Sequence, residues 1–543
     1  MYMEHENSYA YNIMRNKGYA MDIETAKETT SLNKESLHKL LEENWSNKQP
    51  SQIFEAYTKL SVYCSENNLC ISNTMFDNFI DDLTDVINKA TDTELVSIFY
   101  ALNMWPETES IRTRNLIEVW AALDEACLER VNKWSPDETL SYIALFYMLN
   151  VSKVSDFCRK GLIKLAAKAK GLTRKQLVQT MFFVGIQRKS PHDVHNLEVH
   201  LSNNFTQFSV DELAIMSMGF FKSRTPIRSV ELVKNIMLKI MENPKDIHEV
   251  SLAALLKVIR YSMKMPLDDC IALMYELLGV LKHEVPRLSV MCNVHIALLG
   301  TSKLILHQDC LDSVAETSLK RFSETRLKDL ERLALTFGTL NYLPQTQEDF
   351  LDRIIEELRK PERQSEIQSH GRTFACCVSY LGLLGKYPVD LISQVLSEEF
   401  LKNTYGRPIF TYGKEILVLN NTAEIFCKEQ EINRLKRKET IMLAKKYTDY
   451  MPSEDFKKQY NVDLFFTDLI LCNSPEGTPL PVSMEKFSAF GLIRRPPDDN
   501  KWIVLVIAGR NGTIYGTENP TGPFQVKLRE LQHLGYHTNL VIE

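Results

Sequence analysis

A helix-capping pattern recurs along the first half of this chain. In a capping box, a Ser or Thr hydroxyl accepts a hydrogen bond from one unpaired backbone N–H, and a Glu or Gln three residues later accepts from another. Four boxes stand before apolar runs: Thr91-x-x-Glu94, Ser135-x-x-Glu138, Thr173-x-x-Gln176 and Ser209-x-x-Glu212. Asp246-x-x-Glu249 is a looser fifth copy, and successive boxes lie 44, 38, 36 and 37 residues apart. Each box predicts the start of a helix.

The first apolar residue of each run extends this series: Leu95, Leu140, Leu177, Leu213, Leu252, Val290, Leu330 and Phe374. The spacings are 36 to 45 residues, and two helices per unit at this period are typical of an α-solenoid. One run, Leu213–Phe221, is apolar nearly all round, so neighbours must cover it on both sides. We therefore predict a mainly α fold of stacked helical hairpins. An irregular helical bundle is the alternative.

The pattern changes near Asn461. Short apolar runs of strand length follow, at Val462–Leu464, Leu469–Cys472 and Trp502–Ile507. A basic helical segment, Phe524–Leu534, then leads to a last apolar run that ends at Glu543. The order strand–strand–strand–helix–strand predicts a small α/β module after the helical array.

The bulk composition excludes several classes of protein. The net charge of −6 gives no global nucleic-acid signal, so an anionic partner would need a local basic patch. The 11 scattered cysteines show no zinc spacing and are typical of reduced, buried thiols in an intracellular protein. The sequence has no stretch of 18 apolar residues, so we predict no transmembrane helix. The acidic first 30 residues match neither a signal peptide nor an organelle presequence.

One segment, residues 151–175, is strongly basic. Asp156 is its one acidic residue. Its cations are Lys153, Arg159, Lys160, Lys164, Lys168, Lys170, Arg174 and Lys175. Lys160, Lys164 and Lys168 are four residues apart and therefore share a helix face, where like charges repel one another. A phosphate backbone would relieve that repulsion and release counterions. The alternative is a solvated lysine-rich face. Smaller basic groups follow at Arg188 and Lys189, at Lys222, Arg224 and Arg228, and at Lys257 and Arg260.

No motif of a familiar enzyme is present. The sequence contains no GxxxxGK[ST] loop, no GxGxxG, no HExxH, no GxSxG and no protein-kinase set. We therefore expect no cofactor, no structural metal and no kinase activity.

The C-terminal residues resemble a RAP domain. The matching segments are Tyr460–Leu464, Gly477–Pro481, Trp502–Ile507 and the pattern G-x-x-x-x-K-x-R-x-L-x-x-L-G-Y over Gly522–Tyr536. This version is similar to the one that ends FAST-kinase-domain proteins, and residues 372–420 resemble the second FAST region of that family. The resemblance implies an N-terminal segment over 1–54, helical repeats over 55–285, FAST regions over 286–360 and 361–455, and a RAP domain over 456–543. The sequence does not decide whether residues 1–54 are ordered.

The family resemblance implies a function. Its members are mitochondrial proteins that bind RNA and control the stability, processing or translation of organelle transcripts. We therefore expect a matrix protein that binds single-stranded RNA without catalysis, with mRNA or rRNA precursors and RNA-granule proteins as partners. The expected RNA-binding residues are Lys160, Lys164, Lys168, Lys170, Arg174, Lys175, Arg224, Lys527 and Arg529. The last two are expected at a helix start, where backbone N–H groups suit a phosphate.

Two alternative functions stay open. RAP domains resemble the core of restriction-type endonucleases, which hold a divalent cation with carboxylates from two strands. Asp463 is a weak candidate for the first carboxylate, but Val506 and Ala508 occupy the positions where the second strand would need acids. The other alternative is a protein-binding scaffold of the HEAT type. RAP domains usually continue into a closing helix, so the end at Glu543 implies a cropped or incomplete domain.

Overall fold

A computed structural model describes residues 2–19, 32–108, 113–262, 268–448, 469–482, 495–509 and 512–542. The chain forms two compact units. The first contains Met1–Ile236 with Val250–Ser262, and the second contains Met237–Glu249 with Met263–Glu543. The predicted strand Val462–Leu464, which contains the candidate carboxylate Asp463, lies outside the described residues.

Helices dominate the described part of residues 1–262. In chain order they are α1 Tyr2–Asn16, α2 Lys34–Glu42, α3 Pro50–Glu66, α4 Asp77–Thr84, α5 Asp92–Met104, α6 Arg114–Arg130, α7 Pro136–Met148, α8 Asp156–Ala167, α9 Arg174–Gln187, α10 Val194–Asn203, α11 Val210–Lys222, α12 Val230–Glu242 and α13 Glu249–Ser262. Two of these helices, α1 and α2, fall in the segment 1–54.

The second unit continues the helices and ends in strands. Its helices are α14 Asp268–Leu281, α15 Val290–Thr301, α16 Gln308–Lys320, α17 Leu327–Thr339, α18 Phe350–Arg359, α19 Gln364–Ser369, α20 Gly371–Leu381, α21 Val389–Val395, α22 Glu398–Tyr405, α23 Lys414–Phe426, α24 Arg437–Thr448 and α25 Gly522–Leu534. Its strands are β1 Leu469–Asn473, β2 Pro479–Leu480, β3 Lys501–Ala508 and β4 His537–Ile542. Among the described residues, no helix combines the length and apolar character needed to cross a bilayer.

The repeat prediction is confirmed helix by helix. The eight residues that begin the apolar runs lie in α5, α7, α9, α11, α13, α15, α17 and α20. Within the two units, successive helices of the series pack against each other in the pairs α7 with α9, α9 with α11, α15 with α17 and α17 with α20. A helical-hairpin repeat followed by a small α/β module is therefore the fold.

The capping boxes begin α5, α7, α9 and α11 as predicted. In α7, for example, the Glu138 N–H donates to Ser135 Oγ at 3.3 Å, and the Ser135 N–H donates to Glu138 Oε2 at 2.7 Å. The prediction that the looser fifth box, Asp246-x-x-Glu249, begins a helix is wrong. Asp246 ends a short 3₁₀ turn, and the Glu249 carboxylate instead accepts the N–H of Ser289 at 2.8 Å, before α15.

The all-apolar helix α11 is covered on both sides, as predicted, because Leu213–Phe220 are all buried. Glycines allow its close approach to α9. A Cβ on Gly219 would lie 2.3 Å from the Met181 carbonyl oxygen, and a Cβ on Gly185 would lie 3.1 Å from the Gly219 Cα. A side chain at either position would therefore push the two helices apart.

The α/β module has one mixed sheet in the order β2-β1-β3-β4. Strands β3 and β4 are parallel, and α25 makes the connection between them. Cys472, Trp502, Val504, Val506 and Tyr536 form its core, and Leu528 and Leu531 of α25 pack against that core. The described strands and helix confirm the predicted order, and β2 is an addition that the sequence did not predict.

Candidate nucleic-acid interface

The basic segment 151–175 folds as helix α8, a short 3₁₀ turn and the start of α9. Ser155 caps α8 by accepting the Cys158 N–H at 2.9 Å. The buried Asp124 carboxylate supports the same end, because it accepts the N–H groups of Asp156 and Phe157 at 3.0 and 3.1 Å. This firm N-terminal anchor fixes which side chains of α8 face the solvent.

Three predicted RNA-binding lysines lie exposed in this segment. Lys160 is on α8, Lys168 follows its last turn and Lys170 is in the 3₁₀ turn. Within the described part of the chain, none of their three ammonium groups makes a hydrogen bond or ion pair. The nearby acid Asp156 is paired with Arg159 at 2.9 Å instead. These three ammonium groups are therefore available to an anion in solution.

Lys164 has a different role from its neighbours. Its Nζ donates to the carbonyl oxygens of Val131 and Trp134, both at 2.6 Å, just beyond the end of α6. Lysines often satisfy such helix-end carbonyls, where the helix dipole also favours a cation. Burial and, second, the Lys168 ammonium hold the pKa of Lys164 below its ordinary value. Lys164 is thus engaged with the protein, and it still feels the repulsion of Lys168 within the predicted stripe.

Replacing this lysine should affect stability rather than RNA binding. Lys164→Met leaves two carbonyls without their charged donor, so the free energy of unfolding should fall by about 1–3 kcal/mol. Lys160→Met, an exposed change on the same helix, should stay within about 0.5 kcal/mol of the wild type. Urea unfolding of both variants measures the difference, and equal stabilities would contradict the assigned role.

Arg174 and Lys175, at the start of α9, are both engaged inside the first unit. Arg174 donates to the Gln207 carbonyl at 2.9 Å and lies 3.5 Å from Glu212. Lys175 donates to the carbonyls of Lys17 and Gly18 at 3.1 and 3.0 Å.

The smaller basic groups also divide into exposed and buried members. Arg224 is exposed, in a left-handed backbone conformation with φ of 59°. Lys222 and Lys257 are buried and form ion pairs with Glu6 of α1. Sequence reasoning missed Glu6, because nothing in the acidic first 30 residues indicates which acid folds back onto the repeats.

The RAP-like residues Lys527 and Arg529 do not begin a helix, so that prediction is wrong. Helix α25 starts at Gly522, where a Cβ would lie 1.8 Å from the Gly338 carbonyl oxygen. Its N-terminus is therefore covered by the helical repeats and not open to a phosphate.

Arg529 anchors the module to the helices. Its Nη2 donates to the carbonyls of Gly382 and Leu383 at 2.8 and 3.3 Å, and its guanidinium lies 5.7 Å from the centre of the Tyr387 ring. Lys527 is half-buried on the same helix. The part of the RAP motif expected to bind RNA thus includes a residue that holds the module in place.

The nuclease alternative gains no residue from the described strands. Val506 and Ala508 on β3 are fully buried, which leaves no carboxylate at the positions the chemistry needs. No group of three His, Cys, Asp or Glu residues close enough to hold a metal occurs in the described ranges. Asp463 itself lies outside those ranges.

The α/β module has one polar cleft that sequence reasoning missed. It lies at the end of the sheet where the parallel strands β3 and β4 begin, and its lining includes Arg495, Asp498, Asp499, Lys501 and His537. Asp498 accepts a hydrogen bond from Trp502 Nε1 at 2.7 Å. The mixed charges of the lining favour no single class of ligand.

Comparison with known proteins identifies relatives over most of the chain. The family model for FAST kinase-like protein, subdomain 1, matches residues 330–404, which crosses the predicted boundary between the two FAST regions at residue 360. FAST kinase domain-containing protein 5, mitochondrial, from Pongo abelii is 25% identical over 428 residues, 77% of this chain and 54% of that protein. The proteins of the same name from Mus musculus and Homo sapiens are 26% and 25% identical over 71% and 74% of this chain.

The chain spans about half the length of these relatives, 54%, 49% and 50% of the three proteins. The matched subdomain coincides with α17–α22 of the repeat array. The family match, the relatives and the helical fold agree in making this chain similar to FAST kinase domain-containing proteins.

Proposed function

We propose that this protein binds single-stranded RNA in mitochondria and thereby controls the stability, processing or translation of organelle transcripts, without cutting the RNA. The observation that carries the proposal is the group of exposed lysines on and after α8: Lys160, Lys168 and Lys170. We call this group the α8 lysine cluster. The similarity to relatives that are named mitochondrial supports the compartment.

The α8 lysine cluster suits an RNA backbone for physical reasons. The three lysines lie on and just after one helix, so a phosphate chain along α8 would neutralise several cations and release condensed counterions. Such contacts read no sequence, because phosphates are the same at every nucleotide. The cluster therefore accounts for affinity, and the choice of transcript would come from other contacts.

Neutralising the cluster should lower RNA affinity in a salt-dependent way. For a single strand, each lost phosphate contact lowers the slope of log K against log salt by roughly 0.7, so Lys160→Gln with Lys168→Gln and Lys170→Gln should lower it by roughly 2. Fluorescence anisotropy with a labelled oligouridine at several salt concentrations measures this slope.

A matched variant controls for the change in net charge. Lys34, Lys39 and Lys89 are exposed lysines elsewhere in the first unit, and their triple Gln variant removes the same three charges. It should keep the wild-type slope. Equal losses in the two variants would show that only net charge matters, and salt-insensitive binding of a protein partner would favour the scaffold alternative.

A further inference from the structure

Helix α1 lies across four successive helices of the repeat array. It reaches α7 through the rings of Tyr11 and Tyr147, whose centres are 5.6 Å apart. It reaches α11 and α13 through the pairs that Glu6 forms with Lys222 and Lys257. The segment after α1 reaches α9, where Lys175 binds the backbone of Lys17 and Gly18. One face shared by these repeats is therefore covered by α1.

The centre of this cover is a buried carboxylate between two lysines. The Glu6 side chain is 3% exposed, and those of Lys222 and Lys257 are 4% and 8% exposed. Lys222 Nζ lies 3.3 Å from one Glu6 oxygen and donates to Asn7 Oδ1 at 2.6 Å, while Lys257 pairs with the other oxygen. Two ammonium groups from neighbouring repeats thus converge on one anion.

Residues in the middle of α1 and just beyond its end also contact this face. Lys175 donates to carbonyls just beyond the end of α1, and its Nζ lies 5.5 Å from the centre of the Tyr19 ring. Tyr19 in turn donates to Glu212 at 2.6 Å, and Tyr9 is 3.1 Å from Ser251. One lysine from each of α9, α11 and α13 is therefore satisfied by acceptors that belong to α1 or follow it: Lys175, Lys222 and Lys257.

The cost of burying the Lys222 ammonium is only partly offset by its pairing with Glu6. Desolvation lowers the pKa of Lys222 to about 8, although Glu6 acts in the opposite direction. A ligand that presented several anionic oxygens and left the site more hydrated would satisfy the same ammonium groups. Phosphate groups have this character, and they bind lysines as point charges.

We propose that α1 is a displaceable cover over a second phosphate-binding face, in which Glu6 occupies the place that an RNA phosphate takes on Lys222 and Lys257. This proposal rests on the proposed function. In the covered state Lys222 and Lys257 do not contact RNA. Release of α1 adds both, one cation from each of two successive repeat helices.

Glu6→Gln tests the cover directly, because it removes the charge and keeps the shape. If the covered state holds about nine-tenths of the molecules, uncovering them should tighten the apparent Kd for oligouridine by up to about tenfold, less whatever the covered molecules already bind through the α8 lysine cluster. Two added phosphate contacts should steepen the salt slope by roughly 1.4. Glu35→Gln is the matched control, since Glu35 on α2 is 80% exposed and its loss changes net charge equally.

Two further measurements keep the test decisive. Adding Lys222→Gln and Lys257→Gln to Glu6→Gln should abolish the gain in slope. Hydrogen exchange of the wild type should show faster exchange in residues 5–19 when oligouridine is added, with α9 still protected. This second measurement needs no variant, so it decides the matter even if Glu6→Gln folds poorly.

The outcomes separate this proposal from the proposed function. Wild-type RNA binding that Glu6→Gln and Glu35→Gln leave equally unchanged, with α1 as protected in RNA as without it, would overturn the cover and leave the function standing. Absence of RNA binding in the wild type and in Glu6→Gln alike would overturn both.

Discussion

Arg363→Ala should lower the free energy of unfolding by about 3–5 kcal/mol, as breaking a buried ion pair does. The Arg363 guanidinium is 11% exposed and follows α18 within the matched FAST subdomain. Its nitrogens donate to Glu357 Oε1 at 2.8 Å, Thr325 Oγ1 at 2.9 Å and the Phe322 carbonyl at 3.1 Å. Truncation removes the charged donor from all three acceptors and leaves the Lys360 ammonium as the remaining cation on the buried Glu357 carboxylate.

Lys360→Ala is the matched control. Lys360 pairs with the same carboxylate, Glu357, at 2.6 Å, but it is 48% exposed, so its loss should cost no more than about 1 kcal/mol. Equal losses of stability in urea unfolding would contradict the account of Arg363.

The stability lost in Arg363→Ala should also depend on pH. Burial raises the pKa of Glu357, but hydrogen bonds from Lys360 and Arg363 outweigh it and hold the pKa below the ordinary 4.5. A depressed carboxyl pKa stabilises the fold above the ordinary value and ceases to do so as pH falls through the lowered one. The difference between wild type and Arg363→Ala should therefore shrink as pH falls below 4.5.

Gly522→Val should release the α/β module from the helical repeats. A Cβ at this position would lie 1.8 Å from the oxygen and 2.8 Å from the carbon of the Gly338 carbonyl, so backbone must move. Overpacking of this kind costs about 1–3 kcal/mol, and occasionally more. The expected result is a lower melting temperature, together with proteolytic release of a C-terminal fragment.

Gly509→Val controls for the added side chain in the same module. A Cβ on Gly509 meets nothing within 4 Å among the described residues, so stability should change by no more than about 0.5 kcal/mol. If Gly522→Val resists protease as well as Gly509→Val does, the docking of α25 on Gly338 is not what holds the module.

The repeat architecture was predictable because its signals are local. Each capping box involves side chains and N–H groups three residues apart, and the four close matches all begin helices. The fifth failed because Glu249 caps a chain segment 40 residues away, which only the stacking of repeats brings near. The β3–α25–β4 order was predictable for the same reason, from short apolar runs and one basic helix.

The hydrogen-bond and ion-pair partners of long cationic side chains were not predictable from the sequence. Lys164 and Arg529 look like surface charges, yet each reaches carbonyl oxygens that tertiary packing places within 2.6 to 2.8 Å. Lys222 and Lys257 pair with Glu6, which lies more than 200 positions away in the chain. Helical periodicity gives the face on which such a residue lies, but the partner depends on what packs against that face.

Among the described residues, the α8 lysine cluster and Arg224 are the predicted RNA-binding groups that stay exposed and form no side-chain hydrogen bond or ion pair. Lys160, Lys168 and Lys170 stay exposed, whereas Lys164, Arg174, Lys175 and Arg529 are engaged with the protein. This division makes the RNA proposal sharper, because it separates charges that should control binding from charges that should control stability.

Crosslinking of the protein to RNA in mitochondria, followed by sequencing, tests the central claim most directly. We expect a few organelle transcripts to be enriched with the wild type, and the enrichment to fall when Lys160, Lys168 and Lys170 are changed to Gln while the Lys34, Lys39 and Lys89 control retains it. Failure of the wild type to enrich any transcript would contradict RNA binding and leave the scaffold function in its place.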